Sequence, residues 1–163
     1  MIDAAAPAST PSAPGPHARW LGYAGLIPFV ALAAGVLLGL PPGPEVQARW
    51  LIGYAALIAS FLGGIHWGLV MRVSGRDGAG GAPGTPGAAS RLWWGVTPSL
   101  LAWLAWWMPP GGALLWLAIV LAVCFIVDRG IYALAGAQRW LGMRLQLTSV
   151  AALSCLVAAF SLG

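Results

Sequence analysis

RWLIGYAALIASFLGGIHWGLVMR, residues 49–72, decides the fold. An Arg stands at each end, no Asp, Glu, Lys or Arg lies between them, and His66 is the one side chain there that titrates near neutral pH. The hydrocarbon core of a bilayer takes roughly 20 consecutive apolar residues wound as a helix. Backbone polar groups in lipid must satisfy one another, which leaves helix as the form for such a stretch. It reads as a crossing over 47–71. Working outward, three more charge-poor runs lie between Arg19 and Glu45, between Arg91 and Asp128, and from Leu145 onward. The run after Arg91 is too long for one crossing, and Pro109-Pro110-Gly111-Gly112 reads as a tight turn inside it. The expectation is an all-α bundle of five transmembrane helices, at about 20–40, 47–71, 91–108, 113–134 and 145–162, within a membrane domain 19–163.

Composition agrees. Hydrophobic residues make up 60% of the chain, charged residues 7%, and mean hydropathy is +0.83. Soluble domains carry about a quarter charged residues, so a soluble globular protein is excluded. The net charge of +4 comes from Arg residues scattered along the chain with no basic face or run, which excludes a nucleic-acid partner. Cys124 and Cys155 sit in apolar runs and read as small hydrophobes. With no CxxC or HxxxH, no zinc site and no disulfide framework are expected. Lys and Asn are absent while Ala, Gly, Pro, Trp and Arg are abundant, the bias of a GC-rich genome. That points to a bacterial inner membrane.

Residues 1–18, rich in Ala, Pro and Ser, read as a disordered tail. The segment lacks the basic and apolar regions of a signal peptide. Residues 72–90, with six Gly from Gly75 to Gly87, read as a flexible loop. With five crossings, Arg19, Arg72, Arg76, Arg91, Arg129, Arg139 and Arg144 share one side and Arg49 stands on the other. The positive-inside rule then places the N-terminus in the cytoplasm and the C-terminus outside. Trp20, Trp67, Trp93, Trp94 and Trp140 fall at the cytoplasmic ends. Trp50, Trp106, Trp107 and Trp116 fall at the external ends, as in an aromatic belt.

Small residues recur every fourth position at Ala31, Gly35 and Gly39, and at Ala56, Ser60, Gly64 and Gly68. Each set makes a flat helix face for close packing, expected mainly within the chain, with dimerisation as the alternative. Pro28 and Pro98 read as helix kinks, with Thr97 and Ser99 offering oxygens beside Pro98. The ionisable groups carry the sharpest signal. An ionisable side chain inside a bilayer is costly and faces a partner in the bundle. His66 and Asp128 fall at similar depth on different helices, with Arg129, Arg144, Thr148 and Thr97 as candidate members of one polar cluster. The cluster reads either as a structural clamp or as a proton-accepting or ligand site. Bis-His haem ligation is excluded because the second His, His17, lies in the tail. Intramembrane-protease signatures are absent, and no catalytic set, metal or cofactor is expected.

Several of these stretches resemble the DUF3429 family, bacterial membrane proteins related to the mitochondrial transmembrane protein 69. They are Leu21-Gly22-Tyr23-Ala24-Gly25-Leu26-Ile27-Pro28-Phe29 and Phe61-Leu62-Gly63-Gly64-Ile65-His66-Trp67-Gly68. Pro98 with Trp103, Asp128, and Trp140 followed by Met143-Arg144-Leu145-Gln146-Leu147-Thr148 continue the match. The resemblance implies a multi-pass membrane protein of unassigned activity and supplies no catalytic residues. The expected function is a non-enzymatic scaffold or assembly factor of a membrane complex, with the lipid bilayer and other membrane proteins as partners. The alternative is a small proton-coupled transporter or ligand-binding protein with its site near His66 and Asp128.

Overall fold

The computed structural model describes residues 15–76, 88–134 and 140–163. Every regular element among them is helical. The helices are α1 (Pro16–Ala24), α2 (Ile27–Leu37), α3 (Pro44–Arg76), α4 (Ala88–Leu104), α5 (Pro110–Leu134) and α6 (Leu141–Ser161), with a 3-10 turn, Ala105–Trp107, closing α4. Four helical stretches are long and apolar enough to cross a membrane: Pro16–Leu37, Pro44–Gly68, Pro110–Gly130 and Leu141–Ser161. α4, at 17 residues, is shorter. It packs along α3, which also contacts α2 and α5; α6 lies against α5 and α2.

The first span is one helical stretch, Pro16–Leu37, kinked just before Pro28. The chain turns at Gly25 and Leu26, and Pro28 stands in the first turn of α2, where its missing N–H costs nothing. The turn is tied to its neighbour, because the Tyr54 hydroxyl on α3 donates to the Gly25 carbonyl at 2.8 Å. Helix also begins earlier than expected, at Pro16, inside the segment read as tail; residues 1–14 lie outside the described residues. α3 runs on to Arg76, into the segment read as loop, and residues 77–87 lie outside the description, as does Arg139. Just past the C-cap of α2 stands Gly39, whose φ of 62° is the left-handed conformation that glycine adopts without a Cβ penalty.

The core is built largely from alanine. Ala48, Ala55, Ala59, Ala113 and Ala158 are fully buried, with Leu51, Leu114 and Leu117 between them. Small side chains let helix backbones approach, which is what holds a bundle together where lipid removes the hydrophobic drive. The outside is as apolar as the inside. Leu57, Phe61, Leu100, Ile119, Leu153 and Phe160 are all exposed, with Trp20, Trp50, Trp93, Trp106 and Trp107 among them. In water this would be one continuous sticky surface; against lipid it is the correct solvent match.

The expected packing ladder on α3 is corrected by one residue. Gly64 and Gly68 are exposed, and a Cβ on either would meet nothing within 4 Å. Ala56 and Ser60 are half-buried, and the Ser60 hydroxyl donates back to the Ala56 carbonyl at 2.9 Å. The close approach is made by the adjacent Gly63. There a Cβ would run into the carbonyl oxygen of Gly95 on α4, beside Pro98. On α2, Gly35 is buried while Ala31 and Gly39 are exposed. Gly35 leaves room for the Gln47 side chain, whose amide donates to the Leu40 carbonyl at 2.6 Å and fastens α2 to the start of α3. Pro98 is fully buried within α4.

Candidate functional site

Three helices each deliver one ionisable side chain to the same buried point. His66 comes from α3, Asp128 from α5 and Arg144 from α6. His66 Nε2 lies 2.9 Å from Asp128 Oδ1, and the second carboxylate oxygen, Oδ2, accepts from an Arg144 guanidinium nitrogen. His66 is 2% exposed and Asp128 3%. An ionised carboxylate can only accept, so His66 Nε2–H donates to it. His66 Nδ1 is buried without a hydrogen-bond partner, and so is Arg144 Nε.

Sequence reasoning named six residues for this cluster, and the structure brings three of them together. Arg129, next to Asp128 in sequence, is exposed: successive helical residues point in different directions, and only those three or four apart share a face. Thr97 turns its hydroxyl back to the Trp93 carbonyl of its own helix, at 2.9 Å. Thr148 lies one turn beyond Arg144 on α6, and both line a partly open cavity of about 190 Å³. They are its only polar lining residues. The rest of the wall is apolar, with Phe29, Ile58, Leu62, Leu121 and Ala151 among its members. The cavity adjoins the cluster on its apolar side: Leu62 is one turn before His66 on α3, and Leu121 two turns before Asp128 on α5. Phe29 is held by an edge-to-face contact with Tyr54, centroids 5.0 Å apart, so the tyrosine that ties the Gly25 turn also fixes the cavity wall.

Other polar contacts escaped the sequence reading. Trp116, assigned to the aromatic belt, donates its indole N–H to the Leu101 carbonyl at 2.7 Å, where α4 gives way to the 3-10 turn. Tyr23 donates to Gln146 at 2.5 Å, joining α1 to α6. No group of three or more metal-ligating side chains occurs among the described residues. Cys124 and Cys155 are free and buried.

Residues 15–160 match the family model described as "Protein of unknown function (DUF3429)". The chain belongs to this family. A curated relative, Transmembrane protein 69 of Xenopus tropicalis, is 39% identical over 94 residues, which is 54% of this chain and 31% of that protein. The match thus spans about a third of the relative's length. No solved structure matches. The DUF3429 relationship and the membrane class expected from the sequence are both shown. The named relative is a eukaryotic protein.

Proposed function

We propose that this DUF3429 protein is a membrane-embedded ligand-binding protein whose site is the cavity beside the His66–Asp128–Arg144 cluster. The observation that carries the reading is the double placement of Arg144. One guanidinium nitrogen holds Asp128, the Nε is buried with no partner, and the side chain also lines the cavity. A pure clamp is expected to use its donors up, because an unpaired buried donor costs about 1–3 kcal/mol. A buried ion cluster is also a poor way to gain stability, since well-packed apolar side chains do as well or better. Ionisable groups in a bilayer mark functional sites by default.

The scaffold reading rests on a separate observation, the uncovered Gly64 and Gly68 on α3, a face that another helix could approach closely. In the bilayer we place five crossings, counting α4 with its 3-10 turn as the third, and the N-terminus on the cytoplasmic side of a bacterial inner membrane.

Filling the cavity tests the binding reading. Protein purified in a mild detergent, then denatured and extracted, should release a small molecule that mass spectrometry detects in the wild type. Ala151→Phe, which fills the cavity without touching the charged cluster, should lose it. Identical extracts from the two proteins would refute a ligand site there.

A further inference from the structure

We infer that the cavity takes a small carboxylic acid with a compact apolar body, and that the anion binds together with one proton, held on His66 Nδ1. This rests on the ligand site proposed above and adds its chemistry. Size sets the first limit. The cavity is about 190 Å³, a little larger than the ~150 Å³ apolar cavity known to admit benzene. One ring or a short branched chain fits, and a full acyl chain does not. Lining sets the second. The wall is apolar except at α6, where Arg144 and Thr148 stand one turn apart. A guanidinium beside a hydroxyl donor matches one carboxylate group.

Charge sets the third. Neutral His66, Asp128 carboxylate and Arg144 guanidinium sum to zero. An anion entering this buried place leaves one uncompensated negative charge, which low-dielectric surroundings penalise heavily. The unpartnered Nδ1 lone pair of His66 takes a proton from solution, and the sum returns to zero. The polar groups on the neighbouring helices leave it this role. Asp128 on α5 accepts from Nε2, and Arg144 on α6 reaches it through Asp128. Cys124, one turn before Asp128, is a buried thiol. On α4, Arg91 is half-buried and the Trp94 indole N–H has no partner; neither can accept a proton. Leu21 and Phe61, both exposed, sit at the edge of the cavity, so the ligand enters sideways from the apolar surroundings.

The test uses the full chain in lipid nanodiscs with benzoate, the permanently ionised benzenesulfonate, and the uncharged benzyl alcohol as probes. Benzoate and benzenesulfonate should bind saturably. Both should weaken as the pH rises, by up to about tenfold per pH unit, because one proton is linked to binding. Benzyl alcohol should bind at least tenfold more weakly than benzoate at the acidic end. His66→Gln should bind benzenesulfonate more weakly and without the pH slope, and Ala151→Phe should abolish binding of both anions in protein that remains folded. Equal binding of benzyl alcohol would show an apolar hole only. A slope that survives His66→Gln would place the proton elsewhere. Either result overturns the inference, as does absence of saturable anion binding. If the extraction above still yields a cavity-dependent neutral lipid, the site stands and its assigned chemistry falls.

Discussion

Asp128 is the hinge of the buried cluster, since it alone touches both partners. His66 loses one contact on truncation, whereas Asp128 loses two and strands a guanidinium among apolar side chains. Interhelical hydrogen bonds in membranes average about 0.6 kcal/mol and reach about 2, while breaking a buried ion pair from one side costs about 3–5. Asp128→Ala should therefore destabilise the protein in detergent by several-fold more than His66→Ala. The double mutant should show a coupling of about 0.5–2 kcal/mol, measured by reversible unfolding. A coupling near zero would mean that the 2.9 Å contact contributes nothing. The pairing was legible beforehand, because two ionisable groups at equal depth on different helices have few other places to go. Arg144 was legible only as one of several candidates. Its choice over Arg129 depends on helix rotation, which neighbouring sequence positions do not settle.

Helix rotation is also where the reading of α3 went astray. Two small-residue ladders run along this helix one residue apart, Ala55–Ala59–Gly63 and Ala56–Ser60–Gly64–Gly68, and small-residue spacing alone favours the longer. His66 could have decided between them. It must face the bundle, and the positions three, four and seven before it are Gly63, Leu62 and Ala59, all buried. The element-scale expectation follows. Gly63→Ala pushes a methyl group into the backbone of α4 and should cost on the order of 1–3 kcal/mol. Gly64→Ala meets open space and should be neutral or up to about 1 kcal/mol stabilising, since alanine favours helix. Parallel melts of the two variants check this, and equal losses would remove the Gly63–Gly95 contact from the account. The α1–α2 break was half-visible. Pro28 marked the place, but whether a proline bends a helix or starts one depends on what meets the freed carbonyls, and here that is a tyrosine from another element.

At the scale of the molecule, apolar composition was enough to establish an all-helical membrane protein, because water cannot solvate such a surface. Counting crossings is harder, since a 17-residue helix sits at the lower limit of about 17 residues for a span. The positions of Arg supply the remaining argument. A reporter fused after Gly163 should be active only on the external face if α4 crosses. Cytoplasmic activity would reduce the crossings to four, return α4 to the cytoplasmic surface and remove its pairing with α3 at membrane depth.

The spacing of the cluster along the chain bears on how the protein is made. Asp128 and Arg144 are 16 positions apart, across one connection, whereas His66 precedes Asp128 by 62. Closing a short loop is entropically cheaper than closing a long one. During synthesis α3 reaches the bilayer while the partners of His66 are still unmade, and an imidazole, unlike a guanidinium, has an uncharged form in which to wait there. The acid and the base then arrive nearly together on α5 and α6, and each can neutralise the other within a helical hairpin before the earlier helices engage. The order in which the ribosome delivers the three groups thus favours burying the two formal charges as a pair.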